Sequence, residues 1–227
     1  LSEVTGNRRA ELLDLPGVYD WHVDTWIQET DAIENGDIVL RDPESFAFLD
    51  KDDVVLLDIE TDLKQERIWL VGMYSYRNKE FTRIFEKDDE EKLLQQVVEY
   101  LETHEDGPVI YYGNNRFDEQ CLTQRLNTHD VGDSEALFAD AYDLGIQIYN
   151  HLLGDFERTT LDAMAERLAA YEYDYPHIDG FYVGSQYTRY LLDNEEPDWQ
   201  ELLEYNRDDV FALKAVVDEV RKLLSNK

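Results

Sequence analysis

The sequence predicts an α/β fold with one mixed central sheet flanked by helices. Residues 53–60 form a nearly unbroken aliphatic run of strand length, which is typical of a strand buried on both faces. Two more strand-like runs follow at 67–76 and 80–85, separated by a short turn that suits a hairpin. After residue 85 the apolar residues recur at helical spacing. We therefore expect three antiparallel strands first and parallel strands after them.

The second part of the chain alternates helices with short strands. A helix over 93–101 leads to a strand over 108–112 and then to a helix over 117–126. A right-handed crossover makes the strand over 108–112 parallel to the strand over 53–60. Further elements are predicted as a short strand near 136–139 and helices at about 143–153, 159–171, 184–193 and 199–224.

The chain divides into an N-terminal extension, residues 1–50, and an α/β domain, residues 51–227. No motif indicates a role for the extension, and a protein partner that binds through residues 1–50 is one hypothesis. The single cysteine, Cys121, allows no intramolecular disulfide. There is no apolar run of about 18 residues and no charged-then-apolar leader. We therefore expect a cytoplasmic protein that does not contact a membrane.

The chain is strongly acidic. Its 227 residues include 52 Asp and Glu against 21 Lys and Arg, which gives a net charge of -31. This balance excludes a basic protein that coats nucleic acid. Because 43% of the residues are hydrophobic and 12% aromatic, the chain still has the means to form a core. The acids are spread over nearly every segment, so we expect a surface adapted to the concentrated salt of a halophile.

Cooperative unfolding should therefore depend on salt. In KCl at about 1 M, charge repulsion is screened beyond about 3 Å. In dilute buffer the carboxylates repel one another and destabilise the compact state. Thermal unfolding followed by circular dichroism is expected to be cooperative in molar KCl and to lose its cooperativity in dilute buffer. Equal stability in the two solutions would count against adaptation to salt.

Two carboxylates stand at the end of the most apolar strand. Asp58 and Glu60 are two residues apart, so their side chains share one face of the sheet. An Asp-x-Glu pattern is common by chance in so acidic a chain, and the position is the informative feature. Two adjacent anions at the end of a buried strand cost several kcal/mol unless a cation compensates. A divalent metal and a solvated strand end both remain open here.

Two later segments carry further acids. Asp118 lies in the first turn of the helix after the strand over 108–112, where it is either a helix cap or part of a site at the carboxyl edge of the sheet. Tyr205 and Asp209 are four residues apart on the last helix and share a face with apolar residues, whereas Asp208 points elsewhere. Taken alone, this pair also fits the boundary of an amphipathic helix.

Taken in this order, the residues resemble the DEDD superfamily of 3′→5′ exonucleases, which have the ribonuclease H-like fold. Asp58-Ile-Glu60 matches the first motif, and the run from Asn114 to Asp118 matches the second. Tyr205 and Asp209 match the third motif in its tyrosine variant, known as DEDDy. The histidine variant needs His at position 204, which is Glu204.

A closer resemblance is to the YprB-like ribonuclease H-like domains of bacteria and archaea, and a halophilic archaeon is the expected source. It covers about residues 53–222. The segments that carry it are 56–61, 69–72, 178–180, 187–191 and 205–210. The resemblance implies a ribonuclease H-like sheet over most of the chain.

The resemblance also implies an activity and a set of site residues. The activity is metal-dependent 3′→5′ exonuclease hydrolysis of phosphodiester bonds in single-stranded DNA or RNA, starting from the 3′ end. Two divalent cations, Mg²⁺ or Mn²⁺, are held by Asp58, Glu60, Asp118 and Asp209. Tyr205 completes the catalytic set by orienting the attacking water. The implied substrate-binding residues are Thr61, Asn114 and Phe117.

Two other functions remain open at this stage. A site of the same composition serves an endonuclease that cuts internally, as ribonuclease H and resolvases do. The third possibility is a non-catalytic nucleic-acid-binding module within a larger assembly. The presence of all four acids favours an enzyme, because a scaffold has no need of four converging anions.

Overall fold

A computed structural model describes residues 11–14, 16, 19–113 and 115–226. Along this part of the chain the elements are α1 (Asp20–Asn35), β1 (Val39–Leu40), a 3₁₀ helix (Pro43–Asp50), β2 (Val55–Thr61), β3 (Ile68–Ser75), β4 (Glu80–Phe85), α2 (Glu90–Glu102), β5 (Val109–Tyr111), α3 (Phe117–His129), α4 (Ser134–Leu137), β6 (Ala141–Asp143), α5 (Leu144–His151), β7 (Leu152–Leu153), α6 (Leu161–Ala169), α7 (Gly180–Asp193) and α8 (Trp199–Ser225). None of these helices combines the length and apolar character needed to cross a bilayer.

The centre of the molecule is a five-stranded mixed sheet in the order β4-β3-β2-β5-β6. Strands β2, β3 and β4 pair antiparallel, and β5 and β6 continue the sheet in the parallel direction from β2. The predicted fold class, a mixed central sheet with three antiparallel strands first and helices around it, is confirmed.

The alternation of side chains along β2 decides what each face of the sheet contacts. Val55, Leu57 and Ile59 pack into the cluster that includes α2 and α3. Leu56 belongs to the cluster on the opposite face, to which α8 contributes more buried apolar side chains than any other element. Since side chains alternate along a strand, Asp58 and Glu60 share the face of Leu56 and lie towards α8.

Two predicted elements differ from those in the structure, and side-chain caps explain both differences. The strand predicted near 136–139 lies instead at 141–143, as β6, and the residues before it form the helix α4, because the side chain of Asp133 accepts from the Ala136 N–H over 3.2 Å. The helix predicted at 184–193 begins at Gly180, because Asp179 accepts from the Tyr182 N–H over 2.7 Å.

The segment before β2 packs against the main core. Strand β1 pairs antiparallel with β7, and the 3₁₀ helix buries Phe46 and Leu49 completely in the cluster that holds Leu56 and α8. Residues 1–10 lie outside the described part of the chain. The division at residue 50 and the partner contact through residues 1–50 stay predictions.

Candidate active site

The end of β2 brings two carboxylates close to a third from α8. One carboxylate oxygen each from Asp58, Glu60 and Asp209 can be chosen so that all three lie within 4.8 Å of one another. Asp58 and Glu60 owe this position to the alternation along β2, and Asp209 owes it to the packing of α8 across that face. The three oxygens are close enough to share one cation.

Tyr205 lies one turn before Asp209 on α8 and faces the same acids. Its hydroxyl lies close enough to the Asp209 carboxylate for the two groups to interact directly. Burial, then the negative charges of Asp209, Glu60 and Asp58, raises the pKa of this phenol far above its ordinary value. Tyr205 is therefore a neutral hydrogen-bonding group at physiological pH.

The acid next to Asp209 has a different environment. Asp208 accepts from the Tyr171 hydroxyl over 2.6 Å and from the Asp174 N–H over 2.8 Å. These bonds fix the chain that follows α6 against α8. Asp208 thus points away from the Asp58 and Glu60 side chains, and its contacts are structural.

Asp118 is the fourth acid and sits in the first turn of α3. Its side chain is buried and lies close to the backbone of Ile59 on β2. Its charge acts on Asp58 and Glu60, whose pKa values it helps to raise. The helix start at Phe117 therefore turns Asp118 towards the strand end rather than towards solvent.

The loop before Asp118 is held in a bent conformation by its neighbours. Arg116 has a φ of 58°, in the left-handed region, which costs an L residue about 1 kcal/mol or more. Asp143, at the end of β6, accepts from the Gly113 N–H over 3.1 Å and from the Arg116 N–H over 2.9 Å. The end of the neighbouring parallel strand thus fixes the loop that delivers Asp118.

The four acids carry an unfavourable charge when no cation is bound. Loss of hydration, followed by mutual repulsion, raises the pKa of Asp58 and Glu60 well above the ordinary carboxyl range. Burial is also the main reason why the pKa of Asp118 and that of Asp209 rise to about 7. Within the described residues, no basic side chain forms an ion pair with any of the four. An all-oxygen donor set of this charge suits Mg²⁺ or Mn²⁺.

A cavity of about 480 Å³ opens on one side of these acids. Thr61 and Phe117 line it, and Phe117 also packs against the core between the sheet and α3. The Thr61 hydroxyl donates to the Asp62 carbonyl over 3.0 Å. Asn114 lies outside the described residues. The substrate-binding roles of all three stay predictions.

Two apolar side chains at this cavity were not predicted from the sequence. Phe181, in the first turn of α7, is 73% exposed, and Leu63, in the loop after β2, is 43% exposed. α7 packs close to the end of β2 here. A Cβ on Gly184 would lie only 3.2 Å from the Thr61 carbonyl oxygen. The motif Ile178-Asp-Gly180 comes directly before Phe181, but nothing in the sequence shows that the ring of Phe181 stays in solvent.

A second cavity of about 880 Å³ lies against the same acids. It shares Asp58, Tyr112, Tyr205 and Asp209 with the first cavity. Its outer wall comes from α6 and the chain after it, including Tyr173. The acids therefore lie within a cleft that extends to both sides of them.

Comparison with known families identifies the fold. A family model described as the RNase_H superfamily matches residues 55–221, which include Asp58, Glu60, Asp118 and Asp209. The chain belongs to the RNase H superfamily. The match covers every strand of the central sheet and nearly all of α8, so the fold on which the cleft is built is the family's own.

Solved structures of the same fold differ widely in sequence. A family B DNA polymerase from the hyperthermophilic archaeon Pyrobaculum calidifontis superposes with a TM-score of 0.57 at 16% identity, over 75% of this chain and 25% of the polymerase. The Aedes aegypti Nibbler EXO domain superposes with a TM-score of 0.52 at 13% identity, over 83% of this chain and 88% of that chain. This RNase H-like chain thus spans about a quarter of the polymerase's length. No curated protein matches it in sequence.

Proposed function

We propose that this protein is a metal-dependent 3′→5′ exonuclease of the DEDDy type that hydrolyses single-stranded DNA or RNA. The observation that carries the proposal is the convergence of Asp58, Glu60 and Asp209, with Asp118 in electrostatic reach and the Tyr205 hydroxyl beside Asp209. Membership of the RNase H superfamily and the shared fold of the Nibbler EXO domain support it. The likeness to YprB-like domains remains part of the proposal.

Asp58, Glu60, Asp118 and Asp209 are the residues that would hold two Mg²⁺ or Mn²⁺ ions. When bound, the ions supply an acidified water and offset the charge of the transition state and of the leaving 3′ oxygen. The chain's own contribution is to bring the acids of β2 and α8 together, with Asp118 of α3 in electrostatic reach of them. The raised pKa values of the four acids show that burial and mutual repulsion disfavour their charged forms when no cation offsets the charge.

Tyr205 orients the attacking water through its hydroxyl. Because its pKa is raised so strongly, the phenol keeps its proton and does not act as a general base. Its interaction with Asp209 keeps the hydroxyl beside the acids.

Tyr205→Phe should therefore lower kcat by about 100-fold while the KM for an oligonucleotide changes little. The ring is kept and only the hydroxyl is lost, so Mn²⁺ affinity is expected to stay near the wild-type value. Steady-state kinetics and a Mn²⁺ titration measure the two effects. A wild-type kcat in Tyr205→Phe would remove the residue from the catalytic set.

The form of the cleft favours a single strand. Phe181 offers an exposed aromatic ring at the cavity, on which an unpaired base can stack, and Leu63 adds exposed apolar surface there. The acidic surface does not contradict nucleic-acid binding in concentrated salt, where counterion release contributes little. Arg207 is already engaged by the Phe211 ring, 4.7 Å from its centroid, so binding rests mainly on the metal ions and on stacking.

A specific observation supports the endonuclease alternative. The cavity at Tyr173 continues the cleft beyond the acids, and an internal cut requires the strand to pass through the site. A non-catalytic nucleic-acid-binding module would bind the same strand without cutting it. One assay separates the three functions.

The deciding experiment follows 5′-labelled single strands of DNA and RNA with Mn²⁺ in molar KCl. An exonuclease gives a ladder that shortens one nucleotide at a time from the 3′ end, and a phosphorothioate at the last linkage slows it. Internal fragments at the earliest times, unaffected by that linkage, would establish the endonuclease instead. Binding without any product would support the non-catalytic module. Duplex and hybrid substrates in parallel define the preferred nucleic acid.

The composition indicates the salt and redox conditions in which the protein works. A net charge of -31 spread over the chain supports a halophilic source, and the single cysteine, Cys121, supports a reducing cytoplasm. Burial raises the pKa of the Cys121 thiol to about 12, so it is an unreactive core residue. The halophilic origin and the cytoplasmic location remain proposals.

A further inference from the structure

Asn206 lies between Asp58 on β2 and Gly72 on β3, and its side chain is fully buried. Its Nδ2 donates to Asp58 Oδ2 over 2.6 Å and to the Asp58 carbonyl oxygen over 3.4 Å. The nitrogen faces Asp58, because the Asp58 backbone carbonyl oxygen can only accept hydrogen bonds. Asn206 therefore fixes one oxygen of a carboxylate that belongs to the metal-binding cluster.

The other end of the amide has an unusual environment. Asn206 Oδ1 is buried and has no hydrogen-bond partner among the described residues. A Cβ on Gly72 would lie 2.2 Å from this oxygen and 3.0 Å from Val210 Cγ2. Gly72 stands opposite Asp58 in the β2–β3 register, so the amide fits only because position 72 has no side chain.

Both features are unfavourable for stability. A glycine inside a buried strand weakens it, and a buried carbonyl without a partner loses its hydration. Native proteins contain few such groups, and each needs a specific reason. The contact between Asn206 and Asp58 supplies that reason, because it requires both the buried amide of Asn206 and a glycine at position 72.

A neutral donor is the side chain that this position requires. A lysine or arginine would neutralise Asp58 and lower the charge available to a metal. A second carboxylate would add repulsion to a group whose pKa burial and repulsion already raise. An amide orients the carboxylate and leaves its charge in place.

We propose that Asn206, accommodated by Gly72, is a positioning residue that holds Asp58 in the orientation in which it ligates a divalent cation. The proposal rests on the metal site of the proposed function. It assigns Gly72, on a strand that contributes none of the four acids, to the same task.

The test uses Mn²⁺ alone as the probe, with the full chain in molar KCl. Asn206→Leu removes the donor while keeping a side chain of similar branched shape, and Gly72→Ala leaves the amide intact but displaces it. We expect each to weaken Mn²⁺ binding by about 10- to 100-fold, measured by calorimetry and by the electron paramagnetic resonance signal of free Mn²⁺. Ser75→Ala is the matched control, because it removes a buried polar group from β3 that bonds His104 at the other end of the strand.

A titration with excess Mn²⁺ distinguishes a misoriented Asp58 side chain from a misfolded site. In Asn206→Leu, saturating Mn²⁺ should restore the wild-type number of bound ions, which a misfolded site would not recover. If Asn206→Leu does not fold, as judged by circular dichroism, Gly72→Ala decides by the same titration. Wild-type affinity in the folded variants, or an equal loss in Ser75→Ala, would overturn the proposal.

The outcomes also separate this role from the nuclease activity. If the wild type binds Mn²⁺ and Asn206→Leu weakens that binding, but neither degrades an oligonucleotide, the positioning role stands and the nuclease proposal is wrong. If the wild type degrades the strand and Asn206→Leu binds Mn²⁺ normally, the nuclease proposal stands and the positioning role is wrong. A wild type that binds no Mn²⁺ overturns both.

Discussion

Asp58→Ala and Asp209→Ala are each expected to abolish metal-dependent degradation of a 3′-labelled oligonucleotide while the protein stays folded. Each substitution removes one of the three oxygens that lie within 4.8 Å of one another. A bound metal contributes several kcal/mol to transition-state stabilisation, and about 4 kcal/mol corresponds to a rate loss of about 1,000-fold. Initial rates with saturating Mn²⁺, together with circular dichroism, measure activity and fold.

Asp218→Asn is the matched control for this experiment. Asp218 lies on the same helix, α8, but bonds the Tyr76 hydroxyl over 2.8 Å and Lys214 over 2.6 Å, away from the cleft. It should keep wild-type activity even where it loses some stability. Undiminished degradation by both alanine variants would refute the site, and equal losses in Asp218→Asn would point to unfolding.

Asp209→Asn is expected to stabilise the metal-free protein at pH 8. The folded-state pKa of Asp209 is about 7, against about 3.9 for a free aspartate, so the folded protein holds this proton more tightly than the unfolded chain does. Stability is then lost as the pH rises from about 4 to about 7, and the loss is complete above 7. Asparagine is neutral throughout and avoids it, which corresponds to a gain on the order of 4 kcal/mol at pH 8.

The measurement compares urea unfolding of the wild type and Asp209→Asn from pH 4 to pH 8, in molar KCl with EDTA. The two proteins should converge near pH 4 and diverge as the pH approaches 7. Adding Mn²⁺ at pH 8 should reverse the order, because only the wild type keeps the full set of anions for the metal. A metal-free wild type that is as stable as the variant at pH 8 would show that repulsion at Asp209 is weak.

Local patterns predicted the parts of the fold that depend on local physics. The run ending at Glu60 indicated a buried strand, and its alternation correctly placed the two acids on one face. The spacing of Tyr205 and Asp209 likewise follows from helical geometry, and in the structure the phenol and the carboxylate interact. Such inferences succeed because a strand repeats every two residues and a helix every 3.6, whatever surrounds them.

The features missed by the sequence depend on contacts between distant segments. Asn206 looks like any polar residue on a helix until β3 is placed against it with a glycine at position 72. Phe181 reads as core material, and only the packing of α7 leaves its ring in solvent. Asp143 fixes the loop before Asp118 from a strand that was predicted a few residues too early. The catalytic roles themselves await the variants described above.

The helix α8 is long enough to connect the candidate site with the buried core. The helix has 27 residues and so spans about 40 Å. Tyr205, Asn206 and Asp209 occupy its first half, while Val216 and Val220 in its second half are completely shielded within the main core. Because the site residues share one continuous helix with these core residues, we expect the proposed activity to be lost on heating in the same transition that unfolds the core, with no dormant folded intermediate.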